Sequence, residues 1–275
     1  LSLDTPAPSD LVAQALKQAA QADPLYCFPN RLEDILVLEF AIRSNPQDAR
    51  APYYLGCLWY DRRQYRNAIA CWENAAALDG TFPTVWRNLS LASFNQLHDP
   101  EKARRQMERA YELDESDARV LLELHQLYGR LRFSPSERLA FLDKHRDVAF
   151  QRDDVYTEYC TLLNDLGRYQ EALDLLMAHT FHPWEGGEGK VTTQYAVALT
   201  QLGIRSLQRG DAASARDLLE RALVFPHNLG EGKLEGAKDN NIHYWLGLAL
   251  RALGEETAAV RHLEMAASGH EEPAS

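Results

Sequence analysis

The sequence predicts an all-α fold, an α-solenoid built from repeated pairs of helices. Apolar and small residues recur at three- and four-residue spacing along most of the chain, as they do on one face of an α-helix. The whole pattern returns after 34 or 35 residues in the first half of the chain, and no strand-like alternation persists anywhere. A repeat of this length is typical of helical hairpins that each pack on the next one.

The repeat is clearest in YYLGCLWYDRRQYRNAIACWENAAALD, which begins at Tyr53. The same spacing of large, small and aromatic residues returns in VWRNLSLASF with EKARRQMERAYELD, and again in YWLGLALRALGEETAAVRHLEMAA. This pattern of a large residue, Leu-Gly, an aromatic residue, and then Ala, a large residue and Ala resembles the tetratricopeptide repeat (TPR). The resemblance implies a right-handed superhelix of helix hairpins.

The elements follow in order along the chain. SDLVAQALKQAAQAD, capped by Ser9 or Asp10, and RLEDILVLEFAIRSNP are predicted to form an N-terminal hairpin. Six clearer units follow at 49–82, 83–117, 118–152, 153–185, 196–228 and 240–268. Gly167, Gly210 and Gly254 are expected to end helices by adopting the left-handed conformation. We interpret 1–275 as a single TPR-like domain of about seven hairpins.

Charge and composition restrict the partners. Asp and Glu outnumber Lys and Arg by 40 to 29, and the formal net charge is −11. Nucleic acids and anionic membrane surfaces attract clustered basic residues, so we expect neither as a partner. No apolar run approaches the roughly 20 residues that span a bilayer. The first residues do not resemble a signal peptide, and the absence of an initial Met is consistent with an excised part of a longer protein.

The cysteines carry a weaker signal. Cys27, Cys57, Cys71 and Cys160 show no CxxC spacing and have apolar neighbours, so free buried thiols are favoured over disulfides. Free thiols favour a reducing compartment, and we expect a cytoplasmic location.

Two similar insertions interrupt the period. FHPWEGGEGK occupies 181–190 and FPHNLGEGK occupies 225–233, within glycine-rich insertions near 181–190 and 225–240. Gly167 and Gly210 lie 43 residues apart, and Gly210 and Gly254 lie 44 apart, so each interval contains nine or ten additional residues. Because consecutive units stack side by side, we expect the two insertions to project next to each other.

The insertions supply the candidate loop residues His182, Trp184, Glu185, Glu188, Lys190, His227, Glu231 and Lys233. Phosphate binding is disfavoured, since Trp184 replaces the first Walker glycine and Val191 follows the lysine. A metal site is disfavoured because the histidines match no zinc spacing, and we expect no metal or cofactor. The alternatives left open are packing of the loops between two spread repeats and a contact surface for a domain or ligand.

The TPR resemblance also implies a concave groove. Its positions in this sequence include Arg50, Tyr53, Tyr60, Arg87, Phe94, Asn164 and Tyr244. This mixed aromatic and polar lining suits a peptide, although inter-repeat packing explains about half of the aromatics equally well. Chaperone-binding TPR domains resemble each other in a Lys and Asn clamp. Here Tyr53, Cys57 and Glu123 occupy clamp positions and only Asn88 matches, so that activity is not expected.

A narrower resemblance covers nearly the whole chain. FPNRLEDILVLE, DARAPYYLGCLWYD and the two insertions are similar to the TPR portion of large bacterial proteins that carry an upstream β-sandwich, carbohydrate-related domain of unknown function. No catalytic constellation stands out, and we expect no activity in this chain alone. The leading hypothesis is a scaffold that binds a protein segment or a neighbouring domain. The alternative is an accessory part of a carbohydrate-active enzyme, in which His182, Trp184, Glu185 and Glu188 reach a sugar.

Overall fold

A computed structural model of the chain describes residues 10–22 and 27–268, and the predicted cap residue Ser9 lies outside them. Within these residues there are fifteen α-helices, one 3-10 turn and no strand, which confirms the all-α fold. The chain divides into two compact units at Leu131 and Arg132. The single-domain interpretation of 1–275 stays a prediction.

Unit 1 contains seven helices in its described residues. They are α1 (Asp10–Gln21), α2 (Leu32–Ser44), α3 (Arg50–Asp61), α4 (Tyr65–Leu78), α5 (Pro83–Asn95), α6 (Pro100–Leu113) and α7 (Ala118–Arg130). From α2 to α7 each helix packs against the next one along the chain. This neighbour-by-neighbour packing is the arrangement expected of a solenoid.

Unit 2 contains the other eight helices. They are α8 (Pro135–Lys144), α9 (Arg146–Ala149), α10 (Asp153–Asp165), α11 (Tyr169–Ala178), α12 (Lys190–Gln208), α13 (Ala212–Arg221), α14 (Asn240–Ala252) and α15 (Glu256–Ala267), with the 3-10 turn at His227–Leu229. Each hairpin packs on the next, and α12 also contacts both α10 and α14. The first helices of the last three hairpins therefore lie in one row.

The predicted turn glycines have the expected conformation. Gly167, Gly210 and Gly254 have φ angles of +72°, +83° and +79°. Arg63 and His98 take the same left-handed region, at +58° and +52°, in hairpins that lack a glycine there. The left-handed turn therefore recurs in these hairpins, with glycine in three of them and arginine or histidine in the other two.

The boundary of the predicted unit 196–228 is wrong. Helix α12 begins at Lys190 and is 19 residues long. Val191 and Tyr195 are buried, so the extra turns pack on the core of unit 2. Part of the first insertion interval, between Gly167 and Gly210, is therefore helix, which shortens the loop that precedes α12. None of the described helices is both long enough and apolar enough to cross a bilayer.

Candidate functional site

The two insertion loops are held against each other at the core of unit 2. The Phe181 N–H donates to the Asn228 carbonyl at 2.7 Å. The Asn228 side-chain amide donates to the carbonyls of Leu176 and His179 at 2.9 and 2.8 Å, at the end of α11. Phe181 and Leu229 are 2% and 1% exposed within the same hydrophobic cluster. Both loops are therefore structural parts of unit 2.

The two Gly-Glu-Gly-Lys tetrads have different roles despite identical letters. Both carboxylate oxygens of Glu231 accept the Gly189 N–H, at 2.8 and 3.0 Å, where α12 begins. A carboxylate there satisfies an unpaired helix donor and lies at the positive end of the helix dipole. Among the described residues, Glu188, its counterpart, accepts only the nearby Gly186 N–H, at 3.2 Å. Because the Glu231 carboxylate already lies at the start of α12, it would repel a phosphate there.

The lysines of the two tetrads also differ. Lys190 is exposed as the first residue of α12, whereas the Lys233 ammonium pairs with the Asp239 carboxylate. His227 is exposed at the start of the 3-10 turn. In the part of the chain that the structure covers, no three His, Cys, Asp or Glu side chains are grouped as metal ligands.

Asp153, the first residue of α10, anchors the start of the first loop. Its carboxylate lies 2.7 Å from His179 Nε2, accepts the His182 N–H at 2.7 Å, and lies 3.3 Å from His182 Nδ1. Burial alone raises the pKa of the Asp153 carboxyl, but the hydrogen bonds from His179 and His182 lower it overall. The loop is thus tied to α10 by an ionised carboxylate.

Replacing Asp153 with asparagine is expected to lower the free energy of unfolding at pH 7 by about 1–2 kcal/mol. The pKa of Asp153 is lower in the folded chain than in the unfolded chain, where it is about 4. Its ionised form therefore stabilises the fold above about pH 4, and this contribution is lost as the pH falls through the folded pKa. Urea unfolding should show that the variant loses less stability than the native chain between about pH 5 and pH 3.

The control for this prediction is Asp165→Asn, an exposed change at the end of the same helix. It removes the same charge without touching the loop, so the native pH dependence should remain. If the stability of both variants depended less on pH to the same extent, the loss of one negative charge, rather than the loss of the Asp153 contacts, would explain the change.

Five of the predicted loop residues surround one pocket of about 270 Å³. We call this the acidic pocket; its lining residues are His182, Pro183, Trp184, Glu185, Gly187, Glu188, Val191, Leu229 and Glu231. The Trp184 indole lies over Gly187 so closely that a Cβ on Gly187 would be 2.1 Å from the ring atom Cε2. Glycine at 187 is thus required for this position of the indole.

A second concavity of about 230 Å³ lies along α12. We call it the α12 cleft; its lining residues are Gly189, Thr192, Thr193, Ala196, Val197, Thr200, Gln201, Phe225, Lys233, Leu234, Ala237, Lys238, Asp239, Asn241 and Ile242. Val197 and Leu234 remain 37% and 40% exposed there. Of the predicted loop residues, Lys233 lines this cleft, while Lys190 and His227 line neither concavity.

The predicted groove residues of unit 1 have partners within unit 1. Arg50 Nη1 donates to the Ala22 carbonyl at 2.7 Å. The Tyr53 ring lies 4.7 Å from Phe82, and the Tyr60 ring lies 5.3 Å from Trp72. These two tyrosines therefore contribute to packing, which was the alternative to a binding role for the groove aromatics.

Arg87 and Phe94 are engaged in the same way. The Arg87 guanidinium donates to both oxygens of Glu123, at 2.6 and 2.5 Å. This pair joins α5 to α7 with side chains only 17% and 19% exposed. The Arg130 guanidinium carbon lies 5.5 Å from the centre of the Phe94 ring. A ligand in this part of the predicted groove would have to displace these contacts.

In unit 2 the two predicted groove residues differ in exposure. Asn164 is buried, and its amide donates to the backbone and side-chain oxygens of Gln194, each at 3.0 Å. Tyr244 is 46% exposed and its ring lies 5.3 Å from Trp245. Asn164 therefore joins α10 to α12, while Tyr244 remains partly exposed on α14.

Sequence analysis missed the α12 residues of the cleft, notably Thr193, Val197 and Gln201. Thr193 precedes the predicted start of the unit at 196, and the loop residues that share the cleft with all three, such as Leu234, come from a distant segment. A signal was present, since Val191, Tyr195 and Ala198 extend the three- and four-residue spacing upstream of 196.

No protein-family model matches the chain. The chain is similar to the solved structure of Naa15/Naa10 bound to HypK-THB, with a TM-score of 0.52 and 14% identity over 83% of this chain and 32% of that chain. It is also similar to YrrB, a TPR protein with an unusual peptide-binding site (TM-score 0.48, 15% identity, 82% and 97% covered). A tetratricopeptide repeat protein from Parabacteroides merdae gives a TM-score of 0.46 and 15% identity, with 96% and 93% covered.

The fold assignment rests on the packing of the chain itself. At the repeat's glycine position, Gly56 lies against Trp72, and Gly247 lies against Leu263 in the last hairpin. Within each compact unit, successive hairpins pack on their neighbours. Within each compact unit the described residues therefore form an all-α solenoid of the tetratricopeptide-repeat type.

Proposed function

We propose that this chain is a non-catalytic scaffold that binds an extended segment of another protein, or of a linked domain, in the α12 cleft. The observation that carries the proposal is the mixed lining of the cleft. Exposed Val197 and Leu234 provide apolar contact, and Thr193, Gln201 and Asn241 provide polar groups beside it. Peptide segments bind through such a combination of apolar contacts and hydrogen bonds to their main chain.

The polar groups of the cleft support this proposal because they are available. Within the described part of the chain, the side chains of Thr193, Gln201 and Asn241 form no hydrogen bond. An extended peptide has unpaired N–H and C=O groups along its length, and side-chain amides can both donate to and accept from them. The predicted groove residues of unit 1, by contrast, already have internal partners.

The carbohydrate alternative has one observation in its favour. His182, Trp184, Glu185 and Glu188, the residues it requires, line the same pocket. An indole face and carboxylates can bind a sugar ring and its hydroxyl groups. This second candidate concerns the acidic pocket rather than the α12 cleft, so the two can be tested separately.

The scaffold proposal predicts that a random dodecapeptide library screened against the full chain yields enriched sequences. Synthetic copies of these peptides should bind the native chain in fluorescence anisotropy. Val197→Glu places a charge on the exposed apolar wall of the cleft. We expect it to weaken binding roughly tenfold or more, because a carboxylate would be desolvated against the peptide.

The matched control is Val260→Glu, which introduces the same charge at an exposed valine of α15 outside the cleft. This variant should bind as the native chain does, and circular dichroism should show native helicity in both variants. Failure to enrich any peptide, or equal binding by the native chain and Val197→Glu, would refute the cleft as the binding surface.

A further inference from the structure

Resting on the proposed scaffold function, we propose that the acidic pocket receives an arginine side chain of the bound protein segment. The acidic pocket and the α12 cleft share the first turn of α12, where Val191 lines the pocket and the next residue, Thr192, lines the cleft. A segment held along α12 can therefore present one side chain to the pocket. The chemistry of the walls selects the kind of side chain.

Carboxylates dominate the charge of the pocket, and its one basic side chain, His182, lies 3.3 Å from the Asp153 carboxylate. Glu185, Glu188 and Glu231 line it, and none of its nine lining residues is Lys or Arg. Glu231 is partly satisfied by the Gly189 N–H, but Glu185 forms no hydrogen bond or ion pair within the described part of the chain. An uncharged ligand would leave this negative potential uncompensated, whereas a cation is attracted by it. The formal net charge of −11 adds a long-range attraction for a basic segment.

The aromatic wall favours a cation independently of the glutamates. Three arginines in the described residues, Arg130, Arg146 and Arg205, lie over aromatic rings at 4.4–5.5 Å, and none of them lies over Trp184. No other ring stacks on Trp184 either within that part of the chain. Tryptophan is the best aromatic partner for a cation, and Gly187 leaves the space that the Trp184 indole occupies.

Arginine fits the remaining walls better than lysine does. Its planar guanidinium can stack on an indole while its N–H groups donate to carboxylates in a fork geometry. Val191 and Leu229 supply an apolar wall that suits the methylene groups of the side chain. A lysine ammonium is a compact, strongly hydrated charge and would use only the electrostatic part of this site.

The test uses the full chain labelled with 5-fluorotryptophan, which gives one ¹⁹F signal for each of its five tryptophans. Trp184→Phe identifies the Trp184 signal. The probe is the capped tripeptide acetyl-Gly-Arg-Gly-amide, and its citrulline analogue is the uncharged match. We expect the arginine probe to shift the Trp184 signal saturably and at least about tenfold more tightly than the citrulline probe.

The charge contribution is tested with the double variant Glu185→Gln and Glu188→Gln, which should weaken binding of the arginine probe roughly tenfold. The control is Glu220→Gln with Glu264→Gln, two exposed changes in unit 2 that alter the net charge equally. The control should bind like the native chain. Equal weakening in both double variants would overturn the pocket in favour of overall charge attraction.

Two further outcomes would overturn the inference. The first is an equal response of Trp184 to the citrulline probe, and the second is a response to methyl glucoside but not to the arginine probe, which would assign the pocket to a neutral sugar. The tripeptide is too short to report on the α12 cleft, so its result is independent of the peptide library. If the library yields enriched peptides but the arginine probe does not shift the Trp184 signal, only this inference is refuted. If the probe shifts the signal but no peptide is enriched, only the cleft proposal is refuted.

Discussion

Gly230→Ala is expected to destabilise unit 2 by about 3–4 kcal/mol. Gly230 has a φ angle of +78°, which costs an L-residue about 1–2 kcal/mol. The new Cβ would also lie 2.5 Å from the Phe181 carbonyl oxygen. Since that oxygen belongs to the backbone of a buried residue, the two loops would have to separate to accept it.

Two other glycines of the same loop separate these causes. Gly236 has the same φ angle of +78° with open space around its Cβ position, so Gly236→Ala should show the backbone strain alone. Gly232 also has open space and no positive φ, so Gly232→Ala should be close to neutral. Urea unfolding followed by circular dichroism should rank the losses as Gly230, Gly236, Gly232. An equal loss for Gly230 and Gly236 would show that the loops can part without cost.

The loops carry two sets of side chains, one buried in the core and one lining a pocket. Phe181 and Leu229 are buried and hold the loops on the core, as the packing interpretation requires. Trp184 and Glu185 lie on the same segments but face the acidic pocket. Burial of one set of side chains fixes the other set in place, so a contact surface on these loops would be preorganised.

The fold was predictable because its determinants are local. The three- and four-residue spacing and the turn glycines such as Gly210 depend on residues a few positions apart, and the structure confirms them. The contact of Glu231 with Gly189 was not predictable, because it joins residues 42 positions apart. Identical letters in the tetrads gave no indication that only one glutamate would cap α12.

The same distinction explains the groove. Family positions correctly placed Arg87 and Asn164 on first helices of hairpins, but their side-chain partners could not be read from the spacing. Glu123 is 36 residues from Arg87, and Gln194 is 30 residues from Asn164. Such partners are set by how adjacent repeats pack, and a binding role for either residue stays a prediction.

Gly56→Ala should destabilise unit 1 by about 2–3 kcal/mol, although alanine favours a helix over glycine by about 1 kcal/mol. Gly56 lies in α3, and a Cβ there would be 2.5 Å from the Trp72 ring of α4 and 3.1 Å from the Ala68 carbonyl. Trp72 is 3% exposed and its indole N–H donates to the Tyr53 carbonyl at 3.2 Å. Neither the ring nor the backbone can move away without disturbing the hairpin.

Gly247→Ala provides the matched comparison in the last hairpin. Its Cβ would lie 3.2 Å from the Ala259 carbonyl, much as in Gly56→Ala, and 2.7 Å from Leu263 Cγ. The difference lies in the side chain, because Leu263 is only half-buried and can turn toward solvent. We expect a loss below about 1 kcal/mol, because the gain in helix propensity offsets much of the strain. Thermal unfolding of both variants measures the difference directly. A Gly56 variant as stable as the Gly247 variant would mean that the α3 and α4 helices can slide apart, and that close approach at this glycine is not what sets the repeat's packing.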